Sequence, residues 1–406
     1  MPIESAGNQG LRDGLLESFG HELNQAGYAK TTVREHIRAA QHFIYWTDRK
    51  GTAVADLNES YIESFGCHLD RCRCPGYHHT DVVNLQSGAR VFLAYLRDAG
   101  VTASIAPQTM PEAALLTAFH HWTQQQRGTC DATLYHYGLA IRELLTCLGD
   151  DPGRFDAQSL RKFVLERSQK LGWSAAKNCA TATRMFLRFL IAVGKCPAGL
   201  DASIPALAHW RLSSLPRYLQ SDEVEHVIAS CDRASPVGRR DHAILLLLAR
   251  CALRAGDIVQ LRLGDIDWEQ AWIRVSGKSR CQTLLPLTQE VGDALVAYLQ
   301  NGRRAWGTDR LFTRSRPPCR GFATHSAVSL IVRGAMRRAG ITSANRGAAH
   351  ILRHSAATSM LRQGASLQEI GTVLRHRAIQ TTEIYAKVDV TALSLIAQPW
   401  PEVESC

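Results

Sequence analysis

The stretch AAHILRHSAATSML, residues 348–361, reads as the opening of a helix. Leu352, Ala356 and Met360 recur every four positions and give it one face for a core. His350, Arg353 and His354 stand beside that face at i, i+3 and i+4, so three polar heads share one side. An always-charged guanidinium between two titratable imidazoles at the edge of a core needs a reason. The rest of the chain supplies one.

At 406 residues the chain fits two or three domains, and with 45% hydrophobic residues it can bury real cores. Its start, MPIESAGNQG, has neither the basic nor the apolar region of a secretion signal. The longest apolar run, AILLLLARCAL (243–253), is too short to span a bilayer and contains Arg250. Twelve cysteines without secreted-type spacing read as reduced thiols. A cytoplasmic protein with no membrane partner is expected, associated with the nucleoid when bound to DNA. The net charge of +10 favours a polyanionic partner, and its distribution says where. Residues 1–110 carry 10 Lys and Arg against 12 Asp and Glu, residues 111–205 carry 11 against 8, and residues 206–406 carry 26 against 17. A nucleic acid would grip the C-terminal half most firmly.

Helical periodicity dominates the first half. GVTASIAPQTMPEA (100–113) and KCPAGLDASIPALAHWRLSSLP (195–216) are loose, Pro-containing stretches that read as linkers. The helical regions they bound look like copies of each other. Residues 19–43 parallel 119–144, and 88–100 parallel 181–194, with Phe19 offset by 100 from Phe119 and Phe92 by 94 from Phe186. From Leu215 the texture changes. Ser221 reads as the N-cap of a helix with Asp222 and Glu223 in its first turn, and a buried helix is expected at 241–251. Residues 271–276 and 281–287 read as two strands joined by the turn GKSR, and Ser366 with Glu369 as a capping box.

The unusual residues of this half fall in a telling order. Arg254 follows the buried helix, Lys278 sits on the hairpin tip, and His350 and Arg353 lie on the opening helix. His376 and then Tyr385 follow, and no carboxylate cluster accompanies them to hold a divalent metal. A phosphodiester under nucleophilic attack calls for such a set. Two planar guanidiniums can clamp the non-bridging oxygens bidentately. An ammonium can protonate the departing alkoxide, and an imidazole can trade protons. A phenolate oxygen can attack, and the ester it forms keeps the bond energy for rejoining.

In these residues the sequence resembles the tyrosine recombinase (phage integrase) family, over roughly residues 120–390 and most strongly from 215 onward. The family pattern Arg, Lys, His-x-x-Arg, His, Tyr is matched in order by Arg254, Lys278, His350 with Arg353, His376 and Tyr385. The resemblance implies a site-specific recombinase or integrase that cuts and rejoins duplex DNA through a 3′-phosphotyrosyl intermediate, without ATP or metal, for a mobile element. Tyr385 would be the nucleophile, Lys278 the general acid, and Arg254 and Arg353 the phosphorane clamp. His350 would take the tyrosine proton, His376 would bond the phosphate, and Asp257 would orient Arg254. Three positions depart from the pattern: Ile351 replaces an acidic residue, Arg375 a Gly before the second His, and Ala252 a Gly before Leu-Arg. None takes a catalytic role, and Arg375 is expected in solvent, with a phosphate contact as the alternative.

The implied fold is mainly helical with a small antiparallel sheet, shaped as a C-clamp on DNA. Its parts would be an N-terminal helical domain (1–107, a diverged copy), a core-binding domain (112–205), a catalytic domain (215–395) and a tail (396–406). The implied partners are double-stranded DNA carrying a specific target site, and further protomers, of this chain or of a partner recombinase, in a tetrameric synapse. The slightly acidic first copy would mediate protein contacts, with arm-site DNA binding and a spacer that covers apolar surface of the second copy as the alternatives. The alternatives are a type IB topoisomerase and a non-catalytic DNA-binding regulator. CHLDRCRCPGYHH (67–79) stands apart. Its Cys-x-Cys is not the usual zinc knuckle, so it reads as reduced thiols beside a His-containing loop, with no metal; a zinc held by Cys67, Cys72, Cys74 and His78 is the lesser alternative.

Overall fold

A computed structural model describes residues 4–77, 82–102, 111–207, 215–276, 282–304, 307–341, 348–388 and 393–394. These fall into two compact units, one of Met1–Trp46, Phe65–Phe92 and Leu212–Cys406, the other of Thr47–Ser64 and Leu93–Arg211. The architecture is mainly helical with one small antiparallel sheet, as the sequence suggests. No described helix is long and apolar enough to cross a membrane.

One order of elements runs twice through the first half. Helices α1 (Glu4–Gln25) and α2 (Lys30–Asp48), a 3-10 turn (Val54–Asp56), then α3 (Glu59–Leu69) and α4 (Val82–Asp98) form the first run. Helices α5 (Pro111–Arg127) and α6 (Asp131–Leu148), a 3-10 turn (Pro152–Arg154), then α7 (Ala157–Lys170) and α8 (Trp173–Ala192) form the second. Phe19 meets Phe92 edge-to-face with ring centroids 5.0 Å apart, and Phe119 meets Phe186 the same way at 5.5 Å. The runs differ most at one junction. Twelve residues (70–81) join α3 to α4, where Leu171 and Gly172 alone join α7 to α8. In the second run α8 packs on α6 and α7 around Leu144, Leu160, Phe186 and Leu190, all fully buried.

Beyond Leu215, helix α9 (Ser221–Ala229) is capped by Gln220 rather than Ser221. The Glu223 carboxylate reaches back to accept from the Gln220 backbone N–H at 2.8 Å, which fixes the frame one residue earlier and makes Ser221 the first helical residue. Helix α10 (Pro236–Ala249) starts before the expected 241 because Ser235 caps it and Pro236 presets its first φ. Residues Ala243 to Leu248 are all fully buried, so the second half of α10 is apolar all round, and the helix forms the centre on which α9, α12, α13 and α14 pack. Helix α11 is Ala255–Gln260, α12 Gln289–Asn301, α13 His325–Arg338, α14 Ala348–Arg362 and α15 Leu367–Val373.

The sheet has strand order β1 (Ile266–Asp267), β2 (Trp272–Ser276), β3 (Gln282–Pro286). Ile273 pairs with Leu285 and Val275 with Thr283, and Ile273 and Val275 point inward, in keeping with a sheet covered on one face. β1 is too short to leave a periodic signal in the sequence. The hairpin turn with Lys278, like His78 and the tail beyond Ser394, lies outside the described residues. Tyr385 sits in a 3-10 turn (Glu383–Val388) and not in an α-helix. The β-branched residues Thr381, Thr382 and Ile384 around it crowd a longer helix.

Candidate active site

After α10 the chain bends through Ala252, whose φ of +49° is a left-handed conformation, and places Arg254 as the N-cap of α11. Asp257, buried in the first turn of α11, accepts the Arg254 backbone N–H at 2.9 Å. The Arg254 guanidinium turns away from that carboxylate. Its Nη2 donates to the carbonyls of Leu374 and Arg375, both at 3.0 Å. From α14, Arg353 is almost wholly buried and donates from Nη1 to the Ala252 carbonyl and from Nη2 to the Leu374 carbonyl. One carbonyl, Leu374, thus orients both guanidiniums and uses both of its lone pairs doing so.

Leu374 and Arg375 close α15 in a Schellman turn. The Arg375 N–H donates to the Thr372 carbonyl at 3.0 Å, the His376 N–H donates to the Gly371 carbonyl at 2.9 Å, and Arg375 has φ +54°. One sequence expectation fails here. Arg375 is not in solvent: its side chain is 8% exposed and ion-paired with Asp257. Asp257 therefore orients Arg254 through its backbone N–H and its negative charge, as the sequence suggests, and holds the Arg375 guanidinium as well. The cause is geometric, because the left-handed turn swings the Arg375 side chain back over α11. Arg375 Nε and Nη1 remain buried without a hydrogen-bond partner.

The structure also places His354 where the sequence suggested His350. His354 Nδ1 lies 2.7 Å from the Tyr385 hydroxyl, while His350 is exposed, its ring centroid 6.3 Å from that of His354. The signal was in plain view in the i, i+4 pair, but which of the two meets the tyrosine depends on where residues 383–388 return. His376 Nδ1 lies 2.8 Å from Thr382 Oγ1, and a side chain on Gly371 would press on that hydroxyl at 3.0 Å. Tyr385 is 1% exposed.

Crowding of cations sets the electrostatics. Burial, and then the charges of Arg254 and Arg375, lower the Arg353 pKa to about 9. Burial, then His350 and Arg353, lower His354 to about 4, and burial, then Arg353 and Arg254, lower His376 to about 4. Burial raises Tyr385 to about 12, against the pull of Arg353. Both imidazoles are thus neutral at physiological pH, and the phenol is protonated. Among the described residues, Asp257 is the carboxylate that answers three guanidiniums. The cluster is built to receive an anion.

Residues 217–391 match the Phage integrase family. The chain is 36% identical to the integrase/recombinase y4rA of Sinorhizobium fredii over 94% of this chain and 93% of that protein. It is 28% identical to the tyrosine recombinase XerD of Listeria monocytogenes over 68% of this chain and 94% of that protein. Among solved structures, its fold is similar to that of a lambda integrase (75–356) dimer bound to a COC′ core site. That match has a TM-score of 0.52 and 17% identity, and covers 71% of this chain and 99% of that one. A XerH recombinase bound to palindromic difH substrate matches with a TM-score of 0.52 and 16% identity, covering 91% and 97%.

Proposed function

From the premise that this chain belongs to the phage integrase family and is a site-specific DNA recombinase, we propose that Tyr385, Arg254, Arg353, Arg375, His354, His376 and Lys278 carry its strand cleavage. The observation that carries this reading is the surplus of positive charge among the described residues: three inward guanidiniums, two buried donor nitrogens on Arg375 without partners, and one carboxylate. A scissile phosphate supplies the missing negative charge. The backbone carbonyls that fix Arg254 and Arg353 preorganise them, so little reorganisation is needed as charge builds on the phosphorane.

The Tyr385 oxygen attacks phosphorus and its proton passes to neutral His354 Nδ1. The bond from phosphorus to the 5′ oxygen breaks, and Lys278 gives that oxygen a proton. The reverse transesterification, by a 5′-hydroxyl of a partner strand, rejoins DNA with no net change in bond energy, so ATP has no role to play. His350, exposed beside His354, serves instead at the protein–DNA surface, and His376, steadied by Thr382, hydrogen-bonds the phosphate.

Double-stranded DNA with a specific site is the substrate, in a bacterial cytoplasm, and a tetramer of this chain or of this chain with a partner recombinase makes the synapse. Residues 112–205 and 215–395 would grip the duplex. The repeated element order and the repeated Phe–Phe contact support the reading of 1–107 as a diverged copy, and its slightly acidic balance suits it to protein contacts. The decisive test is Tyr385→Phe on a nicked suicide substrate. The SDS-stable protein–DNA adduct should vanish while DNA binding persists; an adduct in the variant would assign the nucleophile elsewhere. Wild-type adduct should still form in EDTA.

A further inference from the structure

Far from the arginines in sequence, four metal-ligating side chains converge. His42 comes from the middle of α2, His68 from the last turn of α3, and Cys72 and Cys74 from the segment that follows. One ligand atom from each lies within 4.8 Å of all the others. His42 Nε2 is 3.4 Å from Cys72 Sγ, and His68 Nε2 is 3.4 Å from Cys74 Sγ. With metal–sulfur bonds of about 2.3 Å and metal–nitrogen bonds of about 2.0 Å, a tetrahedral Cys2His2 site has S···N edges of about 3.5 Å. The observed pairs already have that spacing.

We propose that His42, His68, Cys72 and Cys74 bind one structural Zn²⁺. Two thiolates balance its charge, two imidazoles complete the tetrahedron, and four protein ligands leave no open position for a substrate. The surroundings support such a site. His42 is 1% exposed and its ring is stacked on Tyr77, with centroids 4.4 Å apart. The His68 ring lies against Trp46, and the Cys74 backbone N–H donates to Cys72 Sγ at 3.3 Å, a bond that steadies a thiolate. These contacts fix ring orientation before any metal arrives.

The site also answers a packing problem. Of residues 70–77, only Cys74 is buried, so this segment has almost no core of its own, although it occupies a junction that the second run closes with two residues. A metal held between the segment and two helices substitutes for that core. The sequence hides the full set because His42 lies outside the cysteine-rich window. The alternative set fails in part: Cys67 is exposed and stands outside the group, and His78 lies outside the described residues.

The test is the metal content of the full-length protein, purified without a metal-affinity step and measured by mass spectrometry. The wild type and Cys67→Ser should each hold about one zinc per chain, released by a mercurial thiol reagent, and Cys72→Ser/Cys74→Ser should hold less than about a tenth. Cobalt exchanged into the wild type should show tetrahedral ligand-field bands with a thiolate charge-transfer band. If the double variant fails to fold, His42→Cys serves instead: it should keep the metal and shift the cobalt spectrum toward three sulfurs. Wild-type protein with under a tenth of an equivalent and freely titrating thiols overturns the site, as does full zinc retention in a folded double variant.

Discussion

Two clusters in this chain solve opposite electrostatic problems. The arginine cluster gathers Arg254, Arg353 and Arg375 around carbonyls with, among the described residues, one carboxylate to answer them, and its net positive charge suits an anion. The His42, His68, Cys72, Cys74 cluster gathers neutral or anionic donors suited to a cation. The first is preorganised by main-chain oxygens at two left-handed turns, the second by aromatic stacking and a backbone N–H. A site meant to do chemistry on a transient anion keeps like charges crowded together. A site meant to hold a permanent ligand can be relaxed around it.

The largest expected effect separates His354 from His350. If His354 takes the tyrosine proton, His354→Ala should slow adduct formation by about 10²–10⁴, the usual cost of losing a general base, while His350→Ala should act chiefly on binding. A rate loss confined to His350→Ala, with unchanged affinity, would return the role to His350. The sequence placed both on one helix face, and only the fold could choose between them.

This boundary recurs wherever a side chain's fate depends on a distant partner. Helix α10 and the β2–β3 pair are written in local periodicity, and the Ser366–Glu369 box in a four-residue motif. The order Arg254, Arg353, His376, Tyr385 is likewise legible along the chain. Arg375 was misplaced because its ion-pair partner lies 118 residues away, and His42 was missed because its thiol partner Cys72 is 30 residues downstream. Ser221 lost the cap to a neighbour because Glu223 could reach only one frame.

The next effect is on stability against pH. The His354 pKa falls from an ordinary 6.5 to about 4 on folding, so between those values the unfolded chain binds more protons. The contribution is complete above pH 6.5, declines as pH falls toward about 4 and is flat below, amounting to about 3 kcal/mol at 1.4 kcal/mol per unit. Thermal unfolding of wild type and His354→Gln at pH 7 and pH 4.5 checks it: the difference between the two proteins should shrink or reverse at the lower pH. Because both carry the same His/Cys cluster, acid loss of zinc cancels. Parallel curves would mean that His354 is solvated after all.

A slightly smaller effect tests anion binding at the arginine cluster. Orthovanadate, a phosphorane mimic, should stabilise the folded chain by about 2.7 kcal/mol at a hundredfold excess over its dissociation constant. Chloride at equal ionic strength should not, and Arg353→Lys, which cannot form the same fork, should lose most of the gain. A gain retained in Arg353→Lys would place the anion elsewhere.

The smallest effect concerns how the arginine pocket holds its strain. Ala252 keeps φ at +49° and aims its carbonyl at Arg353, where family resemblance expects Gly. Three terms decide what Ala252→Gly does. Relief of a left-handed Cβ contributes about 1–2 kcal/mol of stability. Added freedom in the unfolded chain costs about 0.5–1 kcal/mol, and loss of a fully buried methyl about 0.8 kcal/mol. These nearly cancel, so stability should stay within about 0.5 kcal/mol of the parent, and adduct formation should be unchanged because the carbonyl keeps its aim. Ala252→Val keeps none of this balance, since a β-branched residue resists positive φ. It should both destabilise the fold and slow cleavage, as the Ala252 carbonyl swings away from Arg353. If Ala252→Gly instead slows cleavage while leaving stability intact, the methyl is what fixes the carbonyl, and the pocket's order comes from packing and not from the backbone turn.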